Sequence, residues 1–504
     1  MAMDACTVAV VGYGPVGGAL ANLLARQGID VLVIEEHPDI YPLPRAGGLV
    51  PESMRLMQIV GVADELAADM KEVTLWYDIF DKDWNLVVKR EPDIGDTRQV
   101  WPNHYTFLQP LLETAVRREN GVQGVRTRTG CRVTGLDQDA TGVSLTVADV
   151  KTGGKDTVRA DWVVGCDGSR SFVRSAIGSE QEDLGGDEAW LLVHLRLTDD
   201  SVKLPERLFQ WAHPERAVTF VPNLPAGLCL FEFRVMPGDT VEELTSEAKV
   251  WELLRPWLHE GQADLVRVVV YEFHTRVANG WRDGRVMIAG DAAHVMPPDL
   301  GEGLNSGFRD AINLGWKLGG VVNGQWSESL LDTYETERRP HVYAFTVLSN
   351  ALAVATSKIA DDPDTYRATL ALDSVFRHPH PRVGPGVHGE APYPAGHLAE
   401  QPVLADGRRL DDVIGYRFAL VGDPELIEQA VAADHDLWSS LDPAIVSGED
   451  PQVAEWLSRL DARVVVVRPD RLLFGTAANS EDLAALATQL RTLHSNVTQT
   501  AGAH

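Results

Sequence analysis

Three glycine-rich sites in the chain have the residue types and spacing to hold a dinucleotide. The first is Gly12-Tyr13-Gly14-Pro15-Val16-Gly17, followed by Glu35. In a loop of this pattern the first glycine permits the tight turn and the second lets backbone approach a diphosphate. The third lets the helix lie close on the strand. A helix starting at Pro15 aims its free N–H groups and its positive dipole at the diphosphate. Glu35 can accept from ribose hydroxyls. This loop alone does not separate FAD from a nicotinamide dinucleotide, and a ligand-free glycine turn is its bland alternative. The second site is Gly290-Asp291-Ala292-Ala293-His294, which runs through Pro297, Pro298, Gly301, Gly303 and Leu304 to a helix expected from near Asn305. The third is Asp167-Gly168-Ser169-Arg170-Ser171 with Val173 and Arg174.

Such sites need strands and helices to present them. Residues 7–11 are an unbroken apolar run bounded by Gly12, as in a parallel strand buried on both faces. Ala19, Leu20, Leu23 and Leu24 recur at helical spacing, and Gly28 stops that helix. Residues 30–35 read as the next buried strand, so the opening is β-α-β. Antiparallel strands are expected from about 75 to 104, a helix at 108–119, and strands at 143–147 and 161–168. Residues 181–280 suggest a mixed or antiparallel sheet interrupted by a helix near 247–258. A buried strand returns at 285–294, followed by a long helix over 303–323. Residues 340–378 read as mostly helical, 379–402 as a Pro/Gly/His-rich linker, and the rest as a small α/β unit.

Composition narrows the function classes. A chain of 504 residues allows two or three domains. A net charge of −28 disfavours nucleic acid and anionic membrane surfaces as partners. Cys6, Cys131, Cys166 and Cys229 are far apart with no CxxC, so neither a disulfide framework nor a metal site is expected. There is no leader pattern and no apolar run of about 18 residues, which points to the cytoplasm.

With these motifs in place, the chain resembles the FAD-dependent aromatic hydroxylases of the p-hydroxybenzoate hydroxylase type, group A flavoprotein monooxygenases. The resemblance covers at least residues 7–345 and is nearest to the 3-(3-hydroxyphenyl)propionate hydroxylase branch. Its segments are YPLPRAGG, WPNHYTFLQPLLE, RPWL, YEFHTRVA, GDAAHVMPP and LNSGFRDAINLGWKL. It implies a Rossmann-type FAD-binding domain from residues 1–75, 105–180 and 281–345. It further implies an inserted mixed or antiparallel-sheet substrate domain from 76–104 and 181–280, a helical segment and linker at 346–394, and a thioredoxin-like α/β domain at 395–504. That last domain lacks CxxC, so thiol redox work is not expected of it. Asp291 would hold the FAD ribose or ribityl hydroxyls, and Gly301 to Asn305 would face the isoalloxazine, where a helix dipole favours the anionic reduced ring. Asp167, Arg170 and Arg174 would serve FAD and nicotinamide, with a structural ion-pairing role as the alternative for the two arginines. Arg45 would lie near the diphosphate and the nicotinamide approach, and Gln109 near the flavin. The branch usually carries glutamine where this chain has Glu302; here it is expected to face solvent or pair with an arginine.

The resemblance also implies a reaction. NADH or NADPH reduces FAD, O2 adds at C4a, and the hydroperoxide transfers OH to a small phenol beside an existing hydroxyl. Pro297 and Pro298 would contact the substrate hydroxyl region. His294, His213 and His274 are candidate bases in principle, each with a structural or cavity-wall role as the alternative. Trp211, Phe220, Phe231, Phe233, Tyr271 and Phe273 are candidate pocket aromatics, although strand aromatics are often plain core. Arg196 and Arg234 are candidate partners for a substrate carboxylate. A monomer or homodimer is expected. The alternatives are a hydroxylase of larger polyketides, a flavin oxidoreductase without oxygen insertion, and a non-catalytic FAD- or ligand-binding protein.

Overall fold

The structure is a computed structural model describing residues 4–43, 45–73, 77–89, 91–92, 98–359, 375–376 and 381–494. The apolar run after the N-terminus is strand Asp4–Val11, at the middle of an eight-stranded sheet. Val31–Ile34 pairs parallel on one side of it and Lys155–Gly165 parallel on the other. Helix Pro15–Ala25 makes the crossover between the first two strands, as its apolar spacing requires. Val286–Ile288 adds in parallel to the end of Lys155–Gly165, while the antiparallel pair Cys131–Asp139 and Gly142–Asp149 extends the other half of that strand. Chain segments far apart in sequence therefore end at the same sheet edge, where loops after parallel strands gather.

A second sheet of seven strands is mainly antiparallel. Tyr77–Phe80 and Leu86–Lys89 join it through a parallel pairing with Leu208–Trp211, so the early insert and the 181–280 region share one sheet. One face of this sheet carries Leu191, Val193, Phe220, Phe231 and Phe233 and is covered by Leu244, Val250, Leu254 and Leu258. Alternation places Trp190, Leu192, Leu230 and Val269 on the other face.

Helix Glu302–Val322 runs through the core, crossing helix Pro15–Ala25 closely. A Cβ on Gly307 would lie 2.6 Å from a Val16 methyl, so glycine sets the approach there. Helix Asp332–Lys358 follows; residues 360–374 of the expected helical stretch lie outside the described residues. The stretch from 381 to 401 is pinned rather than a loose linker. Val387 N donates to Glu337 Oε1 at 2.7 Å, and His388 and Ala399 are buried. The last region forms a four-stranded sheet in the order Ala444–Ser447, Ala419–Gly422, Val464–Val467, Leu473–Ala477. It docks through Phe418 onto Trp316 and Trp326 and through buried ion pairs. Arg468 bonds Glu337 at 2.7 Å and Asp411 bonds Arg55 at 2.7 Å. Among the described residues no helix is long and apolar enough to cross a membrane.

Candidate active site

The glycine loop divides its labour as the spacing predicts. Gly12 has φ +102°, and a Cβ there would stand 2.3 Å from the Cys166 carbonyl oxygen. A Cβ on Gly17 would stand 2.1 Å from the Gly12 carbonyl oxygen. Gly14 differs: a Cβ would meet nothing within 4 Å, and its backbone is extended. Its missing side chain leaves open space at the start of helix Pro15–Ala25, which has no side-chain cap. Glu35 closes the loop from below, its carboxylate accepting from Tyr13 N at 2.6 Å and His37 N at 2.8 Å.

The second glycine-rich site comes to the same place. A Cβ on Gly290 (φ +64°) would be 3.2 Å from Val16 Cγ2, so Asp291 stands beside the first turn of the glycine-loop helix. Among the described residues the Asp291 carboxylate accepts no hydrogen bond and makes no ion pair. Asp291 keeps exposed surface in the cleft, yet the protein packed around it raises its carboxyl from the ordinary aspartate range, against the pull of His294 and Arg45. An uncapped helix start, an open glycine and acceptor carboxylates at both ends fit a dinucleotide with ribose and ribityl hydroxyls.

His294 does not face this cleft. It is fully buried, with Nε2 2.6 Å from Asp310 Oδ2. Asp310 also accepts from Gly290 N at 3.0 Å and Arg338 Nε at 2.8 Å. Burial would raise the Asp310 carboxyl, but His294 and Arg338 outweigh it and hold it down. His294 therefore braces the Gly290 turn instead of serving as a base. Asp310 and Arg338 were not among the residues singled out from sequence; they stand on successive helices, Glu302–Val322 and Asp332–Lys358, and such a pair carries no local motif.

The third site is a clamp. Asp167 accepts from Ser171 Oγ and from Val173 N at 3.0 Å. Arg174 is buried and donates to the Ala292 carbonyl at 3.0 Å and the Ser169 carbonyl at 2.9 Å, tying two loops together. That occupation fits the structural alternative for Arg174 rather than a nicotinamide role. Arg170 and Arg45 are exposed, and Arg45 stacks over Tyr41 at 4.3 Å. Gln109 is buried between the Ala46 N–H, 3.1 Å away, and Glu113, 2.8 Å away, so it fixes the Arg45 loop.

Pro297 accepts from Ser349 Oγ at 2.7 Å, and Pro298–Leu300 makes a short turn into Gly301. Gly301 has φ +66° and leads helix Glu302–Val322, which begins earlier than expected and without a side-chain cap. Glu302 is fully buried and bonds Arg309, which settles its alternatives against solvent. Asn305 accepts from Ser53 Oγ at 2.6 Å and donates to the Gly301 carbonyl at 2.7 Å, stitching the helix start to the 48–53 segment. Gly303 and Leu304 are half-buried beside it.

The second sheet supplies the facing wall. Tyr271 and Phe273 lie 4.8 Å apart, and Tyr271 is close enough to Asp291, Arg45 and Arg170 to feel their charges, though burial is what chiefly raises its hydroxyl. Phe220 and Phe233 are corrections. Each is 1% exposed on the opposite face, because residues one apart on a strand point to opposite sides. Trp211 stacks on Trp84 at 4.9 Å, and His213 on Trp211 at 4.6 Å, away from the loops. His274 bonds Asp187 at 2.8 Å near the surface, so neither histidine meets the cleft as a base. Arg234 is paired with Glu188 at 2.9 Å, which removes it as a free carboxylate partner, and Arg196 is exposed with its Nε on the Ala226 carbonyl at 3.4 Å.

The family described as "FAD binding domain" matches residues 5–349. A probable NADH-specific resorcinol 4-hydroxylase of Rhodococcus jostii (strain RHA1) is 33% identical over 517 residues, spanning 96% of this chain and 94% of that protein. A 3-(3-hydroxy-phenyl)propionate/3-hydroxycinnamic acid hydroxylase of Mycolicibacterium smegmatis is 32% identical, over 97% of this chain and 92% of that protein. Among solved structures, aklavinone-11 hydroxylase with FAD and aklavinone superposes with a TM-score of 0.78 at 25% identity, over 97% of this chain and 99% of that one. The flavin-dependent monooxygenase PieE shares the fold, with a TM-score of 0.80 at 22% identity, over 98% of this chain and 100% of that one.

Proposed function

The chain belongs to the FAD binding domain family, and from that membership we propose that it hydroxylates a small phenol with O2, using NADH or NADPH as reductant. The observation that carries the reading is the Gly290–Val16 contact. It brings the open glycine of one loop and the acceptor Asp291 of another together, beside a sheet face lined with apolar side chains. A dinucleotide seat and an aromatic wall thus share one cleft.

Bound FAD supplies the redox and oxygen-activating chemistry. The chain's part is to bind, orient and shelter. The starts of helices Pro15–Ala25 and Glu302–Val322 offer N–H groups, and Asp291 and Glu35 accept from sugar hydroxyls. The apolar face of Trp190, Leu192, Leu230 and Val269 excludes water from a substrate ring. Arg45 and Arg170 stand exposed where nicotinamide phosphates would approach. The backbone at Pro297 and Pro298 orients the substrate hydroxyl. We also assign residues 1–75, 105–180 and 281–345 to FAD, 76–104 and 181–280 to substrate, and 395–504 to a thioredoxin-like unit. A cytoplasmic monomer or homodimer completes the proposal.

The test is direct. Purified protein should be yellow with FAD, and phenols should stimulate NADH or NADPH oxidation with a product heavier by one oxygen atom. Oxidation yielding only peroxide with every phenol, or a colourless protein that refuses FAD, would overturn it.

A further inference from the structure

None of the three histidines singled out from sequence meets the cleft as a base, yet a fourth stands at the start of helix Glu302–Val322. Resting on the hydroxylase reading, we propose that His104 is the base that takes the phenolic proton of the substrate.

Tyr105–Thr106 is the middle strand of a small three-stranded sheet, between Gly48–Leu49 and Lys71–Glu72. Tyr105 is buried in the core beneath the first sheet, so its neighbours His104 and Thr106 point the other way. Thr106 shows what lies on that side. Its Oγ1 donates to the Asn223 carbonyl at 3.4 Å, at the end of strand Val218–Leu224 in the second sheet. The imidazole leans over Gly48. A Cβ on Gly48 would stand 2.6 Å from His104 Nε2, and one on Gly301 3.8 Å from its Cε1. The Nε2–Cε1 edge therefore lies between the two glycines, at the turn where Gly301 N donates to the Pro298 carbonyl at 2.8 Å. Asn305 Nδ2 closes the seat by donating to the Gly48 carbonyl at 3.3 Å, and Val73 N donates to the His104 carbonyl at 2.9 Å. The histidine is half-buried, and its ring occupies the space that a side chain at position 48 would need.

The other histidines are excluded by place. His294 braces the Gly290 turn through Asp310, and His213 and His274 lie away from the glycine loops. His194 is on the sheet face but only 2% exposed, and burial, reinforced by Arg267, lowers it to about 4, a poor base for a phenol. The charged groups on the elements around His104 are the exposed Lys71 and Glu72, the exposed Asp299 before Gly301, and Glu302 with Arg309, which bond each other. In the step itself the phenolic O–H bond breaks, the proton joins an imidazole nitrogen, and the electron pair stays on oxygen. The uncapped start of helix Glu302–Val322, with its free N–H groups, favours that negative charge. The ring carbons ortho and para to the oxygen gain electron density, as attack on an electrophilic oxygen requires. The proton then leaves to water from the exposed side of the imidazole.

The experiment compares parent holoenzyme with His104→Gln and His104→Ala, each with FAD content and Tm verified, using resorcinol and 3-(3-hydroxyphenyl)propionate. Without nicotinamide no turnover occurs, and ultraviolet difference spectra across pH report ionisation of the bound phenol. In the parent its midpoint should lie well below the ordinary phenol value of about 10. In both variants it should rise by at least about one pH unit. With NADH or NADPH, flavin reduction should be kept while hydroxylation falls about 100- to 10,000-fold and the electrons go to hydrogen peroxide. Added imidazole should restore His104→Ala, in the space beside Gly48, and leave His104→Gln unchanged. Midpoints and product yields that do not move in the variants overturn the assignment alone. So does a fall in yield with an unmoved midpoint, which marks a positioning role, or loss of FAD from both variants, which marks a prop of the cofactor seat. If the parent binds and hydroxylates no phenol, the hydroxylase reading falls, and this assignment with it.

Discussion

Replacing Gly14 by alanine separates a residue kept for a ligand from one kept for the fold. A Cβ at Gly14 meets nothing within 4 Å, and the backbone there, φ −70° and ψ −176°, suits any L-residue. In the ligand-free protein the change should stabilise by about 0.4–1 kcal/mol, through a less free unfolded chain. With FAD present, the methyl stands where a diphosphate would lie against backbone. Losing one charged N–H contact costs about 1.5–3 kcal/mol, so FAD should bind about 10- to 100-fold more weakly. Gly17→Ala is the contrast: its Cβ would lie 2.1 Å from the Gly12 carbonyl oxygen. Overpacking of that kind costs about 1–3 kcal/mol with or without ligand. Urea denaturation of apoprotein and FAD titration by flavin fluorescence measure the two effects. The reasoning is refuted if Gly14→Ala destabilises apoprotein as much as Gly17→Ala, or if it binds FAD as tightly as the parent.

Other expectations follow from the same structure. Asp310→Ala should destabilise by about 3–5 kcal/mol in denaturant titration, because it strands the buried Arg338 and frees the Gly290 turn. Arg45→Ala and Arg170→Ala should raise the nicotinamide KM severalfold in steady-state assays with FAD content unchanged, whereas Arg174→Ala should lower thermal stability. Glu337 is pushed up by burial but held well below the ordinary glutamate range by Arg468 and Lys317. Its contribution to stability is therefore present above about pH 4.3 and is lost as pH falls toward its folded value, and an acid titration of intrinsic fluorescence should show this. Glu232 behaves oppositely. Its folded value near 7 lies above its unfolded one, so it favours unfolding increasingly as pH rises from about 4 to 7. Glu232→Gln should raise the Tm of apoprotein at pH 8 more than at pH 5, and equal shifts would refute the shift's sign.

The β-α-β opening and the glycine loops were legible because backbone sterics and phosphate chemistry restrict which residues those positions accept. Gly12 and Gly17 are held by contacts under 3 Å, and such constraints survive in sequence as fixed letters at fixed spacing. The aromatic wall was less legible. Phe220 and Phe273 look alike as strand letters, yet the covering helix decides which side becomes core. The role of His294 stayed open between base and brace because the partner that buries it, Asp310, lies on the following helix. Glu302 could be read as exposed or paired, and only the fold supplied Arg309.

The opening strand lies between Val31–Ile34 and Lys155–Gly165, and Val286–Ile288 completes that edge. During translation, then, the nascent chain exposes its first glycine loop long before Asp291 and the helix after it leave the ribosome. At about 5–20 residues per second the interval is tens of seconds. Pigment can be captured only once the helix ending at Val322 has emerged, so chains released before that point should accumulate colourless and prone to proteolysis.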